Sequence, residues 1–102
     1  MNSHYSLIKA LNSLSGVSVE SCSSDASSFE AEFDLDLLDS ADQIKLIKEI
    51  AQTDVPFHLS TFFDNGLKWR ILGERKHLDS LVEELYIVAM RLDENKRMRE
   101  QL

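Results

Sequence analysis

The sequence predicts an α+β fold in which a four-stranded, mostly antiparallel sheet packs against helices. Apolar residues recur at helical spacing in three segments, near both ends of the chain and in its middle. Each gap between these segments holds two stretches in which apolar and polar residues alternate, the pattern of strands with one buried face. The predicted order is α-ββ-α-ββ-α, within one domain that spans 1–102.

The first half of the chain predicts a helix followed by a hairpin. Apolar residues at helical spacing indicate a helix over about 3–15, with Gly16 suited to its C-terminal cap. A short strand over 17–21 precedes a Ser-rich segment, 21–28, which predicts a long flexible loop. The stretch FEAEFDLDLLDS at 29–40 then alternates strictly. Its apolar residues are expected on the buried face of a strand: Phe29, Ala31, Phe33, Leu35 and Leu37.

The second half predicts a helix, a second hairpin and a long final helix. Ser40 and Gln43 fit a capping box at the start of the middle helix, and Pro56 lies beyond its end. The final helix is expected over about 75–100. Its charged end, 93–102, is expected to be solvated or to project from the domain.

The second hairpin has a register that the sequence can predict. A two-residue turn at Asn65-Gly66 would place apolar and charged residues on both faces of the hairpin. A three-residue loop, Asp64-Asn65-Gly66, instead collects most large apolar residues on one face. The pattern therefore predicts the longer loop, with Gly66 at positive φ. The other face then carries Phe62 opposite Lys68.

The composition limits the classes of partner. The net charge is −7 and the pI is about 4.8. An acidic chain lacks the basic patch that displaces counterions from nucleic acid, and it is repelled by anionic lipid. We therefore expect a protein partner, basic or an extended client segment, and no direct binding of nucleic acid or membrane.

The location expected for the protein is the cytoplasm. The single cysteine, Cys22, excludes a disulfide within the chain and favours a reducing compartment. No secretory signal is expected, because the first helical segment carries His4, Lys9 and Asn12. No apolar run approaches the roughly 20 residues that span a bilayer.

An acidic row, Glu30, Glu32, Asp34 and Asp36, occupies the polar side of the strand at 29–37. Alternate strand residues lie about 6.5 Å apart, too far for neighbouring carboxylates to share one small cation unaided. A catalytic carboxylate pair would also need a substrate cleft. Two interpretations stay open. Either Lys68 and Arg70 pair with the row inside the sheet, or the row binds something basic outside it.

Residue patterns predict no catalytic, metal-binding or cofactor-binding site. The histidines His4, His58 and His77 lie in different elements without metal-ligand spacing. Cys22 has no activating neighbour in the sequence, and three glycines form no phosphate-binding loop. Partner binding is instead assigned to the acidic row together with Phe62 and Leu72.

The chain resembles the type III secretion chaperones in two places. The run from LSTFFDNGLKWRIL to LDSLVEELYIVAMRL is similar to that family's late hairpin and terminal helix, and LIKALNSLSG to its opening helix. The resemblance implies a cytosolic homodimer that holds an effector segment extended. It places Leu7, Leu11 and the first hairpin near a client groove, and it makes Ile44, Ile47 and Ala51 dimer candidates. The segment 17–37 departs from the family, with two expected strands in place of three.

Three functional hypotheses follow. The first is a non-enzymatic protein-binding domain, in the form of a small, secretion-chaperone-like homodimer. The second is an acidic inhibitor or immunity-type protein that mimics nucleic acid or blocks a nuclease. The third is a small enzyme that uses Cys22, a histidine or paired carboxylates.

Overall fold

The predicted order of helices and strands is confirmed by a computed structural model. The structure describes residues 3–100, and the side-chain surroundings of 5–94. Two hairpins are separated by a helix and flanked by two more. The elements are α1 (Ser3–Asn12), β1 (Ser18–Ser24), β2 (Ser28–Asp34), α2 (Ser40–Ala51), β3 (His58–Phe63), β4 (Leu67–Glu74), a 3₁₀ turn (Arg75–His77) and α3 (Leu78–Glu100).

The two hairpins lie side by side in one antiparallel sheet with the strand order β1-β2-β4-β3. The central seam joins β2 to β4, where Ala31 lies opposite Ile71 and Phe33 lies opposite Trp69. We call the side of the sheet that carries these residues the core face, and the opposite side the open face.

The helices and the core face of the sheet bury their apolar side chains in one shared hydrophobic core. Phe29, Ala31 and Phe33 of β2 are fully buried. Because alternate residues of a strand share a face, the alternation in 29–34 places all three against the helices. The same core cluster contains Leu7, Ala10 and Leu11 of α1, Leu14 just after it, Leu46 and Ile50 of α2, and Leu78, Leu81, Leu85 and Val88 of α3.

The predicted register of the second hairpin is confirmed. Phe63 lies opposite Leu67, and Phe62 lies opposite Lys68. Gly66 has a φ of 131°, as the three-residue loop requires, and Asn65 also takes a positive φ of 57°. The three-residue loop is therefore explained by its register, which places most large apolar side chains of the hairpin on one face.

The first hairpin corrects one prediction. The expected long loop over 21–28 is wrong, because β1 continues to Ser24 and leaves a short turn. The Asp25 Oδ1 atom accepts hydrogen bonds from the backbone N–H groups of Ser27 and Ser28, each at 2.8 Å. These bonds hold the pKa of Asp25 below its ordinary value. A carboxylate that closes its own turn replaces the flexible loop.

The connection from β2 to α2 corrects two further details. Strand β2 ends at Asp34, and Leu37 is exposed instead of lying on the buried face. The N-cap of α2 is Asp39 and not Ser40. The Asp39 Oδ1 atom accepts a hydrogen bond from the backbone N–H of Asp42 at 2.9 Å. Gln43 does not close a capping box, because its side-chain amide donates to the carbonyl oxygens of Leu35 and Leu38 at 3.0 and 2.9 Å.

The last helix begins after the 3₁₀ turn and buries Leu78, Leu81, Leu85 and Val88 in the core. Its predicted charged end, 93–102, lies mostly outside the residues whose side chains are described. Within the part of the chain that the structure describes, no helix is both long enough and apolar enough to cross a membrane.

Candidate functional site

The protein has two candidate functional surfaces: the open face of the sheet, where the sequence predicts the partner-binding residues, and a groove between the helices. The open face is built by alternate residues of β2, β4 and β3, so it gathers the acidic row and the two bases. Its side chains are Glu30, Glu32 and Asp34 of β2, Lys68, Arg70 and Leu72 of β4, and His58, Ser60 and Phe62 of β3.

Arg70 is the centre of the open face. Its Nε lies 3.0 Å from Oε1 of Glu30, and its Nη2 lies 2.9 Å from Oε1 of Glu32. The guanidinium also lies over the ring of Phe62, 4.5 Å from the ring centroid. Arginine can make all three contacts because its planar group combines a fork of donors with a stacking surface. Phe62 is therefore half-buried beneath Arg70.

Lys68 pairs with two more carboxylates. Its Nζ lies 2.8 Å from Oε1 of Glu20 and 3.6 Å from Oδ2 of Asp34. Glu20 was not predicted to belong to this cluster. It lies where the pairing of β1 with β2 shifts by one residue, between Val19 and Ser21. A bulge redirects a side chain out of strict alternation, and the sequence pattern gave no sign of it.

The Lys68 cluster shifts the pKa values of its members. Burial acts to raise the pKa of the Asp34 carboxyl. Interactions with Glu20, with the Asp36 backbone N–H and with the Lys68 ammonium outweigh this effect of burial. The resulting pKa of Asp34 lies below its ordinary value. The hydrogen bond with Glu20 raises the pKa of Lys68, and the charges of Glu20 and Asp34 add to that effect.

The acidic row is therefore divided. Glu30, Glu32 and Asp34 take part in ion pairs with Arg70 or Lys68. Asp36 lies beyond the end of β2 and is exposed, with its backbone N–H donating to Oδ1 of Asp34 at 3.2 Å. Pairing with the bases of β4 inside the sheet, the first of the two open interpretations, therefore accounts for three of the four residues in the acidic row. The partner-binding role assigned to these residues, and to the exposed Leu72, stays a prediction.

In the described part of the chain, no group of three or more His, Cys, Asp or Glu side chains could hold a metal ion. Cys22 is half-buried, and burial raises the pKa of its thiol. A raised pKa leaves less of the reactive thiolate at neutral pH.

A groove between the helices was not predicted from the sequence. It has a volume of about 680 Å³ and lies where the segment after α1 and the segment before α2 meet α2 and α3. Asp42, Lys45 and Asp93 supply its charged groups, and its apolar lining consists of Leu14, Leu38, Leu46, Tyr86, Ala89, Met90 and Leu92. We call this surface the groove.

Helix α3 supplies one wall of the groove. Tyr86 and Met90 are four residues apart, so they lie on one side of the helix, next to the seam that faces the core. Tyr86 is 40% exposed and Met90 66% exposed. An ion pair of 3.0 Å between Arg91 and Glu49 joins α3 to α2. In the sequence, this wall is marked only by Tyr86 and Met90, two apolar residues that fall outside the set of α3 residues buried in the core.

The dimer candidates of α2 lie beside its buried face. Leu46 and Ile50 are the residues that α2 buries in the core. Ile44 and Ala51 are exposed, and Ile47 is half-buried. Their role in a dimer stays a prediction. Leu7 and Leu11, which the resemblance placed near a client groove, are fully buried in the protein's own core.

No protein-family model, curated protein or solved structure matches this chain significantly. The resemblance to the type III secretion chaperones is therefore carried by the sequence patterns alone.

Proposed function

We propose that this chain is a non-enzymatic protein-binding domain that holds an apolar segment of a client protein in the groove. The observation that carries the proposal is the exposed apolar wall of Tyr86 and Met90 beside a volume of about 680 Å³. Large aromatic and methionine side chains in such positions are typical anchors of protein interfaces.

A peptide segment fits the groove better than a small molecule. Pockets for small ligands bury roughly 70–90% of the ligand surface. Here the wall residue Met90 is itself mostly exposed, so the groove is shallow and open along α3. A short apolar stretch of chain can lie along such a surface with its anchors in the groove and its backbone at the rim.

The charge of the surroundings favours a client segment with basic flanks. Asp42 and Asp93 border the groove together with one base, Lys45, and the whole chain has a net charge of −7. Complementary charge speeds association and excludes acidic competitors. We therefore assign the groove to apolar residues flanked by lysine or arginine.

The inhibitor hypothesis loses its main support. It rested on a regular row of carboxylates available to imitate nucleic acid, whereas Arg70 and Lys68 pair with Glu30, Glu32 and Asp34. The binding-domain proposal does not depend on that row. A chaperone-like role belongs to the same proposal, because such a role requires a surface that holds an apolar client segment, as the groove would.

Two labelled peptide probes test the proposal by fluorescence anisotropy. One alternates leucine with lysine, and the other alternates leucine with glutamate at the same length. We expect the lysine probe to bind saturably and the glutamate probe to bind at least about tenfold more weakly, a difference of about 1.4 kcal/mol. Absence of saturable binding by the lysine probe would contradict the proposal.

Variants on α3 locate the binding. Met90→Glu should weaken the lysine probe, even though glutamate adds favourable charge, because it removes an apolar anchor. Ile87→Glu is the matched control, since Ile87 is exposed on the same helix and does not line the groove. Stronger binding by both variants would show that the probe is attracted by charge alone and would exclude the groove as its site.

A further inference from the structure

The outer side of β3 forms one edge of the sheet. Among residues 3–100, no strand pairs with this side of His58–Phe63. A free strand edge presents N–H and C=O groups that can pair with another strand. Natural edges are commonly blocked by lysine, by bulges or by covering elements, and β3 contains neither lysine nor a register shift. We call it the bare edge.

The apolar surface at the bare edge is incompletely covered. Phe63 is 81% exposed although it belongs to the core face, the same face on which Phe33 is fully buried. Leu59 and Trp69, which also belong to this face, are half-buried. The core therefore covers Leu59 only in part and leaves Phe63 mostly uncovered, so apolar surface remains along the edge.

The charge of the bare edge suits a second copy of this chain. The chain has a net charge of −7, so two copies repel one another through most of their surfaces. The strand HLSTFF contains no Asp, Glu, Lys or Arg. Two copies can approach along this strand without placing like charges opposite one another.

We propose that two copies associate by pairing β3 with β3 in antiparallel orientation, about a twofold axis at Thr61. The two four-stranded sheets then form one sheet of eight strands. Leu59 of one copy lies opposite Phe63 of the other, and Thr61 lies opposite its own counterpart. The surface is distinct from the client groove, so the inference does not depend on the proposed function.

The register follows from the side chains that it brings together. With the axis at Thr61, the exposed Phe63 packs on Leu59 of the other copy, and His58 lies opposite Asp64 of the other copy. With the axis at Ser60, Phe63 would instead lie opposite Phe57, which precedes β3 and follows Pro56. The first register keeps the apolar pair within β3 and adds a complementary His–Asp pair, so it is favoured.

The expected dimer is weak. A pair of short strands buries less than the roughly 1,200–2,000 Å² of a standard stable interface. Sedimentation equilibrium of the whole chain should therefore show monomers at low concentration and dimers as the concentration rises. A chain that stays monomeric at every concentration would overturn the inference.

Single substitutions identify the surface. Phe63→Lys places a positive charge at the edge and should weaken association by at least about tenfold. Ile44→Glu on α2 is the control, because Ile44 is also exposed and belongs to the alternative dimer surface. Dissociation by Ile44→Glu with no effect of Phe63→Lys would assign the dimer to α2 and overturn the pairing of β3.

Cysteine cross-linking tests the register. In an antiparallel pair, directly opposite residues have Cα atoms about 4.5–5.5 Å apart, within reach of a disulfide. In a Cys22→Ser background, oxidised glutathione should link two copies of Thr61→Cys much faster than two copies of Ser60→Cys. The two thiols are oxidised to the disulfide while glutathione is reduced. Faster linkage through Ser60→Cys would overturn the register.

Discussion

The two edges of the sheet differ in every feature that governs strand pairing. Strand β1 carries a shift in pairing between Val19 and Ser21, bears Glu20 there, and has α1 packed against it. Strand β3 is regular, contains no Asp, Glu, Lys or Arg, and ends in the exposed Phe63. Bulges, charges and covering helices are the devices that prevent edge pairing. One edge of this small sheet has them, and the other is open.

The largest expected effect compares two phenylalanines of the core face. Phe33→Ala should lower the free energy of unfolding by about 3–5 kcal/mol, because it opens a cavity in a fully buried site. Phe63→Ala should change it by less than about 0.5 kcal/mol, because that ring is mostly exposed in the monomer. Urea unfolding at low protein concentration, followed by Trp69 fluorescence, measures both. Equal losses would show that Phe63 is covered in solution as well as Phe33 is.

A second comparison uses glycines with positive φ near each edge. Gly16→Ala should cost about 2–6 kcal/mol. The φ of 89° strains an alanine by roughly 1–3 kcal/mol, and the new methyl group would collide with the Leu38 side chain for a further roughly 1–3 kcal/mol.

Gly66→Ala is the matched control. Its φ of 131° also strains an alanine, but no atom lies within 4 Å of the added methyl group. Its cost should stay at roughly 1–3 kcal/mol and below that of Gly16→Ala. The same urea titration gives both values, and a larger loss for Gly66→Ala would refute the tighter packing near β1.

A third comparison concerns the turn that connects β1 to β2. The Nη1 atom of Arg75 donates to the carbonyl oxygen of Asp25 at 2.8 Å, and its backbone N–H donates to that of Ser27 at 2.9 Å. Arg75→Ala removes the side-chain bond and should destabilise the protein by about 1 kcal/mol.

Lys76→Ala supplies the neighbouring control. Lys76 makes an exposed ion pair with Glu74, and such pairs contribute little. Its loss should stay within about 0.5 kcal/mol. Amide hydrogen exchange of β1 adds a local measurement. Faster exchange in β1 after Lys76→Ala than after Arg75→Ala would contradict the assigned role of Arg75.

The smallest expected effect is a pH dependence near the β1 edge. The pKa of Asp34 in the folded protein lies below its ordinary value of 3.8. Its carboxylate therefore stabilises the fold above that pH, and the contribution is lost as the pH falls from 3.8 towards the lowered pKa. Asp34→Asn should flatten this part of the stability curve, whereas Asp36→Asn should leave it in place. An unchanged slope in Asp34→Asn would exclude Asp34 as its source.

Local patterns predicted most of the fold. Strict alternation gave the core face of β2, and the demand for one apolar face gave the register of the second hairpin, including Gly66. The turn at 25–27 was missed because serines carry no apolar alternation, so the strand that contained them resembled a loop. The sequence predicted Ser40 as the N-cap of α2, whereas the structure has Asp39. Local reasoning could not choose between them, because aspartate and serine both satisfy the N-cap rule.

The candidate surfaces were predictable only in part. The sequence allowed Lys68 and Arg70 to pair with the acidic row, and the structure shows those pairs. It could not place Glu20 beside Lys68, since a bulge depends on the pairing of two strands. The groove depends on how α1, α2 and α3 are arranged, which no local spacing records.

The strand order also has a consequence for the rate of folding. Each hairpin joins strands that are close in sequence, whereas the seam between β2 and β4 joins residues such as Glu32 and Arg70, 38 positions apart. Closing a long loop costs more entropy than closing a turn, so contacts of large separation form slowly. We expect the two hairpins to nucleate independently and their docking to limit the rate. Arg70, which touches β2 and β3 at once, then finds its partners only after that step.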